Sequence, residues 1–223
     1  MLAKTELPEL PLQLDSKTVS HTRGNERAGH GYIQYGCGFS APDGWENFDA
    51  SRTLIFERLP LIGRLYTKNA QRFPGNVRYG DIVAGLPVPE GAARGVYASH
   101  VLEHLAYEDA LRALQNTYRM LRPAGIFRLI VPDLERAAAD YLSAVRRGLP
   151  DAAASFMEST ALGRRQHPKG LAWILYGALN SSAHLWMWDY AGMAHALASQ
   201  GFQRIRRCEF NDSDDPMFRR VES

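Results

Sequence analysis

YIQYGCGFSAPDGWENFDAS, residues 32–51, decides how this chain is read. GYIQYGC (31–37) reads as a short strand stopped by Gly38, and WENFD (45–49) reads as a second. Gly36 and Gly38 bracket Cys37, and Asp49 follows Gly38 by eleven residues. Glycine just past a first strand lets the main chain turn sharply and approach a ligand closely. An acid at the end of a second strand can accept both hydroxyls of a ribose. A dinucleotide site follows the same logic, but it asks for G-x-G-x-x-G with the acid about 20 residues on. Here the third glycine is missing, the acid comes early, and no helix start is at hand for a phosphate. A nucleoside without a pyrophosphate therefore fits better than NAD. The same residues also read as a tight turn followed by a capping aspartate.

Outward from this stretch, strands and helices alternate. NVRYGD (76–81), RGVYASH (94–100) and IFRLIVP (126–132) read as the third to fifth strands, QRIRRCEF (203–210) as a sixth, and MFRRVES (217–223) as the start of a seventh. Leu111, Leu114, Tyr118 and Leu121 fall at helical spacing within 107–123, which Pro123-Ala-Gly125 ends. Helices are also expected over 134–148, stopped by Gly148, and over 189–202, ended by Gly201. Segment 52–65 is mixed, and Pro60 must break any helix there. The alternation implies an α/β fold. It would be a three-layer α/β/α arrangement with a mostly parallel, Rossmann-like sheet of six or seven strands and a helical insertion before the last of them. Ligands in such sheets bind at the carboxyl ends of the strands, where the strand order reverses. One spacing strains this expectation. Only six residues separate Gly38 from Trp45, whereas a parallel crossover usually takes a dozen or more. Either the chain crosses with a short loop, or the first two segments are not neighbours and Asp49 has no ribose to hold.

Composition narrows the classes. The 223 residues are 45% hydrophobic and 22% charged, enough for one generous domain with a true core. Lysine and arginine outnumber acids by 26 to 24, too little to suggest a nucleic-acid partner or an anionic membrane. Arg146-Arg147, Arg164-Arg165 and Arg206-Arg207 read as solvated faces. Two cysteines, Cys37 and Cys208, make no disulfide framework, and Cys37 is expected to pack as a small apolar side chain. The first residues lack the apolar run of a secretory signal, and LAWILYGAL (171–179) is too short to span a bilayer. A soluble, cytoplasmic protein is expected.

Further on, GDIVAGLPVPEGAARGVYASHVLEHL (80–105) sets an aspartate after strand three, a Leu-Pro turn, strand four and a polar ledge leading into a helix. At this point the chain resembles the class I, Rossmann-like methyltransferases that use S-adenosylmethionine. The likeness is to a bacterial branch, carried by Gly36-Cys37-Gly38, Gly44-Trp45-Glu46-Asn47-Phe48-Asp49, Leu86-Pro87, His100 to Leu105, and LRPAGIFRLIVPDLE (121–135). It covers 31–148 strongly and 189–210 loosely. The resemblance implies S-adenosylmethionine as cofactor. Gly36, Cys37 and Gly38 would pass near its methionine part, Asp49 would hold the ribose, Asp81 and Ile82 would sit by the adenine, and Ser99 and His100 would line the wall near the sulfonium. It implies an N-terminal extension (1–30), a cofactor-binding core (31–148), a helical and aromatic insertion covering the acceptor (149–188), and a C-terminal helix and strands completing the sheet (189–223).

Methyl transfer from a sulfonium is an in-line displacement whose donor is already activated, so alignment and exclusion of water are the main demands. A base is needed only where the acceptor must lose a proton. The candidate catalytic residues, placed to meet the acceptor and take that proton, are His100, Asp133 and His184. Asp133 also reads as the N-cap of the helix at Leu134, His184 as a structural histidine, and Tyr97, inside a strand, as core. Trp173, Tyr176, Trp186 and Trp188 cluster with His184 and would shape an acceptor pocket or close a homodimer face. The expected acceptor is a small molecule or a glycan. A binding subunit without activity is the alternative. HVLEH (100–104) also matches the H-x-x-E-H pattern of zinc peptidases, with His100 and His104 as ligands and Glu103 as base. Because His100 ends a strand, the two rings need not converge, and only Glu135 or Asp133 would be left as a third ligand. No metal is therefore expected, and Glu103 and His104 read as backbone partners at the helix start.

Overall fold

A computed structural model describes residues 31–60, 63, 71–163 and 183–222. The described residues form a five-stranded, all-parallel sheet in the order β3-β2-β1-β4-β5. The strands are β1 (Tyr32–Tyr35), β2 (Glu46–Asp49), β3 (Val77–Tyr79), β4 (Ala93–Ser99) and β5 (Leu121–Ile130). The helices are α1 (Arg52–Arg58), α2 (Tyr107–Met120), α3 (Leu134–Arg146), α4 (Ala152–Ser159) and α5 (Tyr190–Ser199).

The short crossover is real. β1 and β2 pair in parallel, Ile33 to Glu46 through Tyr35 to Phe48, and a loop without a helix joins them. Cys37 N extends the pairing by donating to Phe48 O at 3.1 Å. Burial anchors this arrangement: Ile33 and Phe48 are wholly buried, and each such side chain contributes about 1.5–3 kcal/mol by leaving water.

Alternation along the strands divides the sheet into two faces. On one, Ile33, Tyr35, Phe48, Val96 and Ala98 pack with Ala110, Ala113 and Leu114 of α2 and with Met193, Ala196 and Leu197 of α5. On the other, Tyr97 packs with Trp45, Phe218 and Val221. That second face meets the C-terminal segment rather than a long helix, so the expected second helical layer is only partly present among the described residues.

The expectation of six or seven strands is corrected. Residues 203–210 follow an irregular path with Arg204 at φ +55°, and Phe218–Arg220 form a single 3-10 turn. Among the described residues the C-terminal part thus supplies a helix but no strand. Helix α2 stops at Met120, before Pro123, and β5 begins directly. Its register against β4 slips between Leu121 and Ile126, where Ala124 takes φ +59°, so the regular pairing spans 126–130. The expected insertion contains α4, while 164–182, with Trp173 and Tyr176, lie outside the described residues. No helix among the described residues is long and apolar enough to cross a membrane.

Candidate functional site

The strand order reverses between β1 and β4, so the crevice lies off the carboxyl ends of those two strands. Four loops meet around it. The first follows β1. Gly36 (φ +63°) and Gly38 (φ +54°) both take the left-handed backbone that other residues avoid, but for different reasons. A Cβ on Gly36 would lie 2.2 Å from Val101 Cγ2, so this glycine makes room for the loop after β4. A Cβ on Gly38 would meet nothing within 4 Å, which leaves its main chain open to a ligand.

Asp49 closes the loop from behind. Its Oδ2 accepts from Gly38 N at 2.9 Å and its Oδ1 from Ser51 N at 2.7 Å. Each oxygen keeps a further lone pair, since a carboxylate offers about four acceptor sites. Cys37 between the glycines is buried, and burial, then the charge of Asp49, pushes its thiol up to about 12. It stays protonated and is no nucleophile.

The second loop carries Asp81 and Ile82. Asp81 Oδ1 accepts from Val83 N at 2.8 Å, which folds a tight turn, and Ile82 is buried. Asn116 of α2 clamps the turn, its Nδ2 donating to Ile82 O and Val83 O at 2.9 and 3.1 Å. Asn116 lies on the polar side of the helical pattern and carried no sequence signal.

The third loop follows β4. Ser99 is half-buried, while His100 is exposed and takes φ +54°. Its N–H donates to Ile130 O at 2.9 Å, and its Nδ1 lies 3.0 Å from Glu103 Oε1. Strained backbone of this kind collects at functional sites. Glu103 is wholly buried, and its carboxylate meets the His100 ring rather than backbone, which corrects the sequence reading. Tyr97 is buried, as expected of a core residue.

The fourth element follows β5. Asp133 caps α3, its Oδ1 accepting from Glu135 N and Arg136 N at 3.0 and 3.4 Å. Arg207 lies 3.6 Å from its other oxygen. A parallel bridge between Asp133 and Trp188, with Leu134 N donating to Trp188 O at 2.9 Å, lays segment 183–189 beside this strand end. Trp188 is buried in the core, whereas Trp186 is exposed, its ring 4.8 Å from Tyr107. His184 stands against His104, ring centroids 5.0 Å apart. Of the three candidates for acceptor contact, His100 and His184 thus belong to one cluster through Glu103 and its neighbour His104, and Asp133 sits apart as a cap. An open apolar groove lined by Leu54, Ile55, Arg58, Leu59, Val77 and Tyr79 flanks the sheet edge and includes none of these loop residues.

Comparison with known proteins follows the same part of the chain. Residues 62–129 match the family model of a methyltransferase domain. The match runs through Asp81, Ile82, Ser99 and His100 and leaves the glycine loop and Asp49 outside. No curated protein matches. Among solved structures the chain is similar to PigF with SAH, at 18% identity and a TM-score of 0.46 over 83% of this chain and 49% of that one. It is also similar to S-adenosylmethionine-dependent methyltransferases from Thermotoga maritima (16%, 0.44, 80% and 66%) and Archaeoglobus fulgidus (13%, 0.43, 88% and 77%). The chain spans about half the length of PigF.

Proposed function

We propose that this chain is an S-adenosylmethionine-dependent methyltransferase acting on a small-molecule or glycan acceptor. The observation that carries the reading is the side-by-side pairing of β1 and β2, which sets the open main chain of Gly38 against the buried carboxylate of Asp49 at the strand-order reversal. The methyltransferase-domain match over 62–129 supports it independently, because it rests on other residues.

The residues fit a nucleoside with a charged sulfur. Gly36 and Gly38 let the first loop lie flat, and the second lone pairs of Asp49 face two ribose hydroxyls. The turn at Asp81 and Ile82, held by Asn116, presents an acid and an apolar face to the adenine. Ser99 and His100 wall the reacting end. The cofactor supplies a methyl group already activated by positive charge, so the chain need only align the acceptor and keep water out. His100 is exposed and paired with Glu103, which suits it to take a proton from an acceptor hydroxyl or amine. Segment 183–189 covers the acceptor side.

Calorimetric titration with S-adenosylhomocysteine tests the reading, and wild-type protein giving neither heat nor a thermal shift would sink it. Asp49→Ala is expected to weaken binding at least about tenfold, since charge-assisted hydrogen bonds of about 1.5–3 kcal/mol are lost. Thermal midpoints recorded for this variant and for Asp49→Asn check that binding, not the fold, is lost, because either change takes an acceptor from Gly38 N or Ser51 N.

A further inference from the structure

The turn after β4 holds a cluster that cofactor binding does not use. Glu103 Oε1 faces His100, but Glu103 Oε2 is buried with no hydrogen-bond partner among the described residues, on a side chain with no exposed surface. A bare carboxylate oxygen in the interior is strongly penalised unless something positive meets it. His184 Nδ1 is likewise buried and without a partner among the described residues. Main-chain bonds bring these groups together. Leu185 N and Trp186 N both donate to Glu103 O, at 2.7 and 3.2 Å, and His184 N donates to Ala161 O at 3.3 Å. His104 Nδ1 lies 3.1 Å from Ala183 O. A carbonyl only accepts, so Nδ1 carries the proton and Nε2 keeps its lone pair. This is the outer hydrogen bond that orients a ligating imidazole. One donor atom from each of Glu103, His104 and His184 lies within 4.8 Å of the other two.

We propose that Glu103, His104 and His184 form a three-donor site for a divalent transition-metal ion, zinc foremost. Two imidazoles and a carboxylate are a donor set for zinc with an open fourth position, and also suit iron(II), whereas calcium and magnesium take oxygen donors. Tetrahedral zinc with bonds of about 2.0–2.1 Å sets its donors about 3.4 Å apart, so each separation, now within 4.8 Å, closes by at most about 1.4 Å. The pair differs from the one suggested by the H-x-x-E-H pattern: His184, not His100, joins His104, and Glu103 is a ligand while His100 supports its other oxygen. The ion would tie segment 183–186 to the end of β4 and leave one position for water or an acceptor heteroatom. The site stands or falls apart from the methyltransferase reading, because its test needs no cofactor.

Chelator-stripped protein titrated with zinc chloride is expected to bind one ion per chain. His104→Ala and His184→Ala should each weaken that binding by more than about 100-fold, beyond the roughly 10–100-fold that loss of an outer partner brings. His195→Ala, at an exposed position of α5, should bind as wild type does. His184→Gln, with thermal midpoints recorded for all variants, guards against a loss caused by misfolding. Cobalt(II)-loaded wild type should show the intense visible bands of a four- or five-coordinate nitrogen and oxygen site with no thiolate charge-transfer band. No uptake by wild type, uptake that survives replacement of both histidines, or the pale spectrum of octahedral cobalt would each overturn the proposal.

Discussion

Gly36 and Gly38 share a backbone conformation but not a task, and substitution separates the two. Alanine at Gly36 would meet both left-handed strain of about 1–2 kcal/mol and overpacking against Val101 of about 1–3 kcal/mol, its Cβ lying 2.2 Å from that side chain. Gly36→Ala should therefore lower the unfolding free energy in urea by about 2–5 kcal/mol. Alanine at Gly38 meets the strain alone, because no atom lies within 4 Å. Its methyl group instead enters the space where the cofactor is proposed to lie. Gly38→Ala should cost only about 1–2 kcal/mol of stability yet reduce affinity for S-adenosylhomocysteine more than about tenfold. A Gly38→Ala protein with wild-type affinity would place the nucleoside elsewhere.

The elements were legible wherever a local pattern and tertiary packing agree. β1 to β4 are short segments bounded by glycine or acid, α2 and α5 follow the 3.6-residue repeat of their buried faces, and α3 runs from its Asp133 cap to the stop at Gly148. QRIRRCEF misleads because Cys208 and Phe210, two apart with a charged residue between them, imitate the alternation of a strand. The left-handed residues Arg204 and Asn211 at its ends break the extended path, and its arginines turn to Asp212, Asp133 and Glu135 instead. In MFRRVES the spacing of Phe218 and Val221, three apart, was the helical signal that a strand reading overlooked. At the site, Gly38 and Asp49 were legible because their meeting is set within one crossover. The approach of His184 to Glu103 and His104 was not, since about 80 residues of chain separate them and only the folded main chain brings them together. Asp133 tests the same distinction between local and long-range roles. A cap needs only a short side-chain acceptor, so Asp133→Ser should keep the thermal midpoint and the rate of the proposed methyl transfer, while Asp133→Ala should lose about 1 kcal/mol. A rate lost in the serine variant at unchanged stability would return Asp133 to the acceptor site.

Across the whole molecule, the face of the sheet away from α2 and α5 depends on the C-terminal segment. Phe218 and Val221 cover Tyr97 and Trp45, and Glu222 pairs with Arg128 of β5, which also holds Asp212 at 2.6 Å and Glu209 O at 2.5 Å. Arg128 and Glu222 are both buried. Removing one partner of a buried pair costs about 3–5 kcal/mol, an upper bound for Glu222 because Arg128 keeps Asp212 and Glu209 O, whereas replacing both partners by apolar residues of similar volume is often neutral. Glu222→Ala should accordingly destabilise the protein in urea by up to that amount, and the double variant Arg128→Met, Glu222→Leu, which leaves no buried charge of the pair, by less. Equal losses in the two would mean that shape, not charge, holds the segment in place. The outer part of the same network should set the acid limit. Hydrogen bonds from Arg206, then from the Glu209 main chain and Arg128, hold the Asp212 carboxyl well below the usual carboxylate range. A carboxylate depressed in the folded state stabilises it above the unfolded value of about 4, and that contribution fades as the pH falls below it. The thermal midpoint of the wild type should therefore drop as the pH falls below about 4. Asp212→Asn, which has no proton to gain, should start from a lower midpoint at neutral pH and lose less of it on acidification; parallel acid limbs for the two proteins would assign the loss to other carboxylates.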